Sequence, residues 1–431
     1  IMAELAGKSI PEVGTTIFRP PYTPTAIGVF AGRATGQDFH PTRKTPSHVW
    51  AEEQGAVFVE VGNWLRAQWF PKPGEMHWRE SVDREVIATR KSVGVCDVTT
   101  LGKIDVQGPD AAALLDFVYI NTFSTLKVGK VRYGLMLRED GHVLDDGTTA
   151  CLADNHYVMT TTTAAAGLVM RHLEYVLQVV RPDLDAKVIS VTEQWAQFGV
   201  AGPKSRDVIN GIIDATIDDA SFPYMGCGAI TIDGIAARLF RISFSGEQAY
   251  EIAVPARYGA SLYKQLVDHA AKLDGGAYGM EALNVLRIEK GFITHAEIHG
   301  RVTAFDIGMD RMVSRKKDCI GQTMAAREGL MDENRAQLVG LKPVGAVQQM
   351  VAGAHLFDAG ADAVRVNDQG YVTSVGFSPT LGHNIALGFL DRGRARHGEV
   401  IRMVDHLREI DATLEVCDPV FFDPTGGRLR G

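Results

Sequence analysis

The sequence predicts an α+β fold of two related halves followed by a C-terminal β-barrel, and three observations carry that expectation. A strand, a Gly-Pro step and a helix occur in that order twice. An Asp-Gly pair between two apolar runs marks a long hairpin lying between the two copies. Beyond about residue 335 helical patterns give way to short β-rich runs broken by Gly and Asp.

In the first copy Ile104-Asp105-Val106 reads as a strand and Gly108-Pro109-Asp110 as the corner. Ala112, Leu114, Leu115 and Val118 then give a helix, with Pro109 suited to its first position because the N–H there is unpaired anyway. In the second, Phe198-Gly199-Val200-Ala201 leads through Gly202-Pro203-Lys204 to a helix marked by Val208, Ile209, Ile212 and Ile213. The copies stand 94 residues apart. That suggests an internal duplication, each half laying a helix on a mixed or antiparallel sheet; coincidental helix starts are the plainer alternative. Ahead of the first copy, Val86, Ile87, Arg90 and Val93 spell a helix expected to close at Gly94.

Between the copies, Val131 to Leu137 and His142 to Leu152 flank Asp140-Gly141, a strong hairpin signal, so Asp145 and Asp146 ride on the second hairpin strand. The runs Gln337 to Leu341 and Ala386 to Leu390 belong to a separate small barrel. The organisation expected is an extended proline-rich arm over residues 1–50, a duplicated region over 51–334 and a barrel over 335–431. The arm is read from Phe18-Arg19-Pro20-Pro21-Tyr22-Thr23-Pro24. Its aromatic content suits a segment lying along a surface of this chain or of a partner.

At 431 residues the chain is long enough for two or three cores, and its 45% hydrophobic and 22% charged composition is that of a folded globular protein. A net charge of -8 argues against a nucleic-acid partner. No apolar run approaches the roughly 18 residues that cross a bilayer, so no membrane association is expected. Cys96, Cys151, Cys227, Cys319 and Cys417 are scattered without a CxxC pair, which fits reduced thiols and a cytoplasmic location.

Adjacent residues on a strand point to opposite faces, so Asp145 and Asp146 cannot form a shared carboxylate dyad and only one can be a working acid. The choice lies between a functional carboxylate, able to orient or polarise an amine, and a buried structural acceptor. Tyr133, on the partner strand, is either core or a platform for a flat ring. Ser243 to Glu251 is a loop opening into the strand Tyr250 to Val254, with Glu251 at its start; a capped turn is the alternative to a binding role. His295-Ala296-Glu297-Ile298-His299 has imidazoles at i and i+4, but no third ligand is evident and Gly291 and Gly300 oppose a helix, so no metal is expected. Gly226-Cys227-Gly228 reads as a turn. The chain shows no dinucleotide fingerprint, P-loop or Gly-x-Ser-x-Gly elbow.

Four segments, taken in order, resemble the aminomethyltransferase (glycine-cleavage T-protein) family: Arg90 to Val98, Gln107-Gly108-Pro109, Gly141 to Asp146, and Ser374 to Gly382. The segments Thr15 to Pro24, Leu286 to Phe292 and His295 to Gly300 are similar to the C-terminal half of the α subunits of heterotetrameric sarcosine oxidases. The resemblance implies a three-domain cloverleaf with tetrahydrofolate in a central channel. It implies Asp146 as the folate-facing catalytic carboxylate, Tyr133 beside the pterin, Glu251 at the pterin edge, and Leu101 and Phe244 against the ring. Thr161 stands where the family has a folate-side Asn, Leu283 where it has an Arg, and Arg311 where it has a Trp. In the oxidase branch, an imine made from sarcosine on a flavin-bearing β subunit would meet tetrahydrofolate here, giving 5,10-methylenetetrahydrofolate and glycine. Flavin and NAD would be bound elsewhere in the complex, and the proline-rich arm would join a preceding half. A free-standing folate-dependent demethylase of another methylated substrate and a non-catalytic scaffold remain as alternatives.

Overall fold

The computed structural model describes residues 7–9, 12, 42–314, 316–345 and 349–431; residues 13–41, which hold most of the expected extended arm, lie outside the described set. The first described elements form a small sheet in which β1 (Arg43–Lys44) runs parallel to β3 (Trp64–Trp69), and β3 pairs antiparallel with β2 (Val57–Val61). Helices α1 (His48–Glu53) and α2 (Trp78–Lys91) pack against β3.

Helix α2 ends before the expected position. Ser92 leaves helical geometry at φ -138 and ψ -96, and Gly94 opens the next strand, β4 (Gly94–Asp97), instead of capping the helix. Only glycine fits there, because a Cβ would run into the Thr89 hydroxyl and the Tyr278 ring.

Two larger sheets follow. In the first, β5 (Gly102–Gln107), α3 (Ala111–Val118), β6 (Lys130–Leu137), β7 (Val143–Ala153), β8 (His156–Thr161), α4 (Ala166–Tyr175) and β9 (Lys187–Ser190) give the strand order β6-β7-β8-β5-β9, antiparallel throughout. In the second, β10 (Trp195–Ala201), α5 (Ser205–Asn210), β11 (Cys227–Ile232), β12 (Ile235–Phe240), β13 (Ala249–Pro255), α6 (Gly259–Ala271) and β14 (Gly276–Ala277) combine with β4 in the order β11-β12-β13-β10-β4-β14. This sheet is mixed, since β14 runs parallel to β4. The runs β6-β7-β8-β5 and β11-β12-β13-β10 have the same order, with a helix after the fourth-placed strand and another after the third. The strand, Gly-Pro, helix signature therefore marks a structural duplication.

Both corners enter their helices two residues later than the sequence suggests. Pro109 and Pro203 sit in the turn ahead of α3 and α5, where Ala111 and Ser205 donate back to the Gly108 and Gly202 carbonyls at 3.1 and 2.9 Å. Proline's fixed φ suits the second residue of such a turn as well as it suits a helix start. Helix α5 is short, so Ile212 and Ile213 pack beyond its end. Cys227 and Gly228, expected in a turn, begin β11.

One face of each sheet is covered by its helices. Ile104 and Val106 pack with Leu114, Leu115 and Val118, while Phe198, Val200 and Ile252 pack with Val208, Leu262 and Leu266. The other two faces meet each other: Val131 and Ala150 from the first sheet share a cluster with Phe240, Ile242 and Ala253 from the second. Main-chain bonds from Val131 to Met225 and from Cys227 to Gly129, at 2.8 and 3.0 Å, stitch one edge of this sandwich.

After α7 (Met280–Glu289) the chain reaches a closed barrel of β15 (Ala336–Pro343), β16 (His355–Asp358), β17 (Gly370–Ser378), β18 (His383–Asp391), β19 (Val400–Asp405) and β20 (Ile410–Cys417), ordered β15-β18-β17-β16-β19-β20. Ile288, Leu135 and Leu137 share a buried cluster with Leu338, Ile385 and Phe389 of the barrel. A buried ionic network pins the C-terminal segment: Arg90 donates to Glu247 at 2.8 Å and to Glu289 at 2.6 Å, and Arg428 returns to Glu247 at 2.9 Å. All five cysteines are free thiols. Among the described residues no helix is long and apolar enough to cross a membrane.

Candidate functional site

Strand alternation decides which side chains enter the space between the two sheets. On β7, Asp146, Thr148 and Ala150 share one face and Asp145, Thr149 and Cys151 the other. The pairings Leu135 with Asp146, Tyr133 with Thr148 and Val131 with Ala150 place Tyr133 on the same face as Asp146. The Tyr133 hydroxyl donates to Asp146 Oδ2 at 2.8 Å. Asp145 turns the opposite way, is buried, and accepts from the Thr162 hydroxyl at 2.6 Å and the Thr162 N–H at 3.1 Å. One member of the acid pair is thus tied into the fold and the other faces the inter-sheet space.

The electrostatics follow from that division. Burial pushes the Asp145 carboxyl up to about 6 against the pull of its Thr162 hydrogen bonds. Burial and the neighbouring Asp145 charge push Asp146 up to about 7, while the Tyr133 donor acts in the other direction. Tyr133 itself is held far above the usual phenol range by burial and by the Asp146 charge. A carboxyl that changes protonation near neutral pH and carries a hydrogen-bonded phenol can give and take a proton under ordinary conditions.

The facing wall comes from the second sheet. Glu251 on β13 pairs across to Gly199, and Gln197 on β10 pairs with Ala253, so Gln197, Glu251 and Ala253 share the inward face. The Gln197 amide donates to Glu251 Oε2. Burial raises the Glu251 pKa, offset by Gln197 and by the positive charge of Lys103. Lys103 and Asp105 lie on the inward face of β5, opposite Thr160 and Val158. Beside these groups is a narrow pocket, with room for about one water molecule, lined by Thr148, Ala150, Val158, Thr160, Gln197, Phe240 and Ile242.

The residues singled out in the sequence do not all gather here. Tyr133 and Asp146 are in contact, and Glu251 stands on the opposite wall. Leu101 is half-buried in a neighbouring cluster with Trp69 and Met280, and its carbonyl accepts from Lys103 at 3.1 Å. Phe244 is 39% exposed and stacks on Phe292 with centroids 5.9 Å apart. Thr161 points away: it falls on the helix-side face of β8 with Met159 and Tyr157, packs on Gly102, and donates to the Thr162 carbonyl at 3.0 Å. Its neighbour Thr160 supplies the inward hydroxyl. Leu283 lies on α7, buried against Val82 and Val86 of α2, and Arg311 is exposed.

His295 is exposed, while His299 Nε2 meets the Tyr371 hydroxyl at 2.5 Å. Glu297 is fully buried against Arg287 at 3.0 Å and Ser374 at 2.5 Å, which makes it a structural acceptor. Among the described residues no group of three or more His, Cys, Asp or Glu side chains is placed to hold a metal ion. Sequence reading missed Gln197 and Lys103. Polar alternation along Lys103, Asp105 and Gln107 looks like a solvated strand face, whereas that face closes on the duplicate sheet.

Comparison with known proteins decides the ancestry of this sandwich. Residues 47–317 match the GCVT N-terminal domain and residues 337–423 the glycine cleavage T-protein C-terminal barrel domain. The chain belongs to the glycine-cleavage T-protein family. Within that family it is 50% identical over 433 residues to sarcosine oxidase subunit alpha of Rhizobium meliloti (strain 1021), covering all of this chain and 44% of the relative. It is 42% identical to the subunit of the same name from Corynebacterium sp. (strain P-1), covering 45% of that relative. The chain thus spans less than half the length of these curated relatives. An aminomethyltransferase of Streptomyces coelicolor is 29% identical over 351 residues, 80% of this chain and 88% of the relative. Aminomethyltransferase T from Bartonella henselae shares the fold, with a TM-score of 0.75 at 23% identity over 89% of this chain and 98% of that one.

Proposed function

We propose that the chain is the folate-binding, one-carbon-transfer module of a sarcosine-oxidase-like enzyme complex. The single observation that carries this reading is the pair of facing hydrogen-bonded couples, Tyr133–Asp146 on one sheet and Gln197–Glu251 on the other. A flat heterocycle with N–H donors along its edge suits such a gap. Glu251 would accept from the pterin edge, Tyr133 and the apolar lining would flank the ring, and Leu101 and Phe244 would contact it from the rim. Thr161 is placed by the resemblance alone, since its side chain faces the helices.

Bound tetrahydrofolate supplies the amine nitrogens that accept a one-carbon unit. The other reactant in this reading is the imine formed from sarcosine on a flavin held by a partner subunit, with NAD bound elsewhere in the complex. The products are 5,10-methylenetetrahydrofolate and glycine, and no further oxidant is needed: two N–H protons leave the folate and two reach the glycine nitrogen. Asp146, titrating near neutrality, is the group suited to collect and return a proton, and its negative form offsets positive charge on the incoming iminium. The relatives' names support a complex of this kind, and a cytoplasmic setting suits the free thiols.

The test is single-turnover formation of methylenetetrahydrofolate from a chemically generated glycine imine. The protein should accelerate it and Asp146→Asn should abolish most of that acceleration. Equal rates for the two proteins would leave the fold as a scaffold. Demethylation of another amine by this chain alone would favour a free-standing enzyme.

A further inference from the structure

Lys103 is one of the largest fully buried side chains in the protein. Lysine is rarely buried to this degree unless it is paired, yet among the described residues no carboxylate comes within ion-pair distance of it. Its Nζ instead donates to two main-chain carbonyls, Thr99 at 2.6 Å and Leu101 at 3.1 Å. Those carbonyls belong to the loop between β4 and β5. The same loop is held from the second sheet, where Thr99 Oγ1 accepts from the Gln197 N–H at 3.0 Å. Gln197 in turn carries the Glu251 carboxylate. The ammonium therefore stands at the junction of the loop that presents Leu101 and the wall that presents Glu251.

We infer that Lys103 is a positioning residue of the inter-sheet site, which fixes the Thr99–Leu101 loop beside the Gln197–Glu251 couple and sets the charge that Glu251 faces. The inference rests on the folate reading given above and extends it to a residue whose type and place the sequence motifs do not mark.

The charges around the amine agree with this role. Burial brings Lys103 down to about 8, so it stays cationic at neutral pH; Asp97 on β4 and Glu251 on β13 favour its charge, and Arg43 on β1 opposes it. Seen from Glu251, burial favours the neutral acid, and Gln197 and Lys103 are the groups that counter it. A neutral side chain at position 103 would remove one of those two counterweights, and Glu251 would take up a proton at higher pH.

Tetrahydrofolate affinity measured calorimetrically from about pH 5 to about pH 9 separates this from a packing role. For the unmodified protein, affinity falls as pH drops through the Glu251 titration. Lys103→Met should move that midpoint upward by about one unit and weaken binding by up to about tenfold on the acid side of the original midpoint. Lys103→Arg should keep the original midpoint. In Glu251→Gln protein the acid limb should vanish, and adding Lys103→Met should produce no further pH shift. Circular dichroism would establish that each variant is folded. A Lys103→Met protein that binds more weakly but with an unchanged midpoint would overturn the inference. Absence of binding by the unmodified protein at every pH would instead overturn the folate reading, and the inference with it.

Discussion

Gly108 and Gly202 are conformational twins, with φ of 129° and 126° at the strand-to-helix corners of the two related sheets. At each, a Cβ would be driven into main-chain oxygens, of Asp185 at the first corner and of Ser92 and Thr89 at the second. Replacing either glycine by alanine should cost about 2 kcal/mol or more, because strain and a backbone collision act together. Urea unfolding should show a lower midpoint for Gly108→Ala and Gly202→Ala alike.

A buried charge network holds the C-terminal segment. Arg90 lies between Glu247 and Glu289, all three nearly fully buried, and its guanidinium also sits 4.4 Å from the Phe422 ring. Arg90→Met would leave two carboxylates buried and short of their partner, with an expected loss of about 3–5 kcal/mol. Limited proteolysis should then release the segment after Phe421 well before the body unfolds. Unchanged thermal stability would show that Arg428 suffices to neutralise Glu247.

A carboxyl kept for chemistry should weigh on the fold. Asp146 is lifted from 3.8 to about 7 in the folded protein. The folded state therefore holds a proton that the unfolded chain would release between those pH values. The stabilising contribution is complete below about pH 4 and is lost as pH rises through about 7. Asp146→Asn should accordingly gain about 1–2 kcal/mol at pH 8, allowing for partial solvent access, and nothing at pH 4. A variant that is less stable at both pH values would make Asp146 a structural acceptor.

Tyr133 offers a check on the same carboxyl without deleting it. Its hydroxyl hydrogen bond lowers the Asp146 pKa, so Tyr133→Phe should raise it further. The acid limb of one-carbon transfer should move by about half a unit to one unit toward alkaline pH. An unmoved limb would assign that limb to another group.

Much of this architecture was legible in local chemistry. The Gly-Pro corners announced the duplication, Asp140-Gly141 placed Asp145 and Asp146 on one hairpin strand, and period-two logic sent them to opposite faces. What local pattern could not supply was which face meets what. Lys103 and Gln197 look like ordinary polar strand residues until the second sheet closes over them, and Thr161 faces the helices because β8 alternates against Met159 and Tyr157. Gly94 resembled a helix cap, but its constraint comes from the Thr89 hydroxyl and from Tyr278, the latter distant in sequence. Such features are set by tertiary contact, which strand and helix periodicity does not encode.

The most direct measurement is a calorimetric titration of the protein with tetrahydrofolate at neutral pH, repeated with Glu251→Gln. Saturable binding at a single site, weakened at least about tenfold by Glu251→Gln, is the predicted result. No binding, or equal affinity for the two proteins, would contradict the assignment of the inter-sheet space as the folate site.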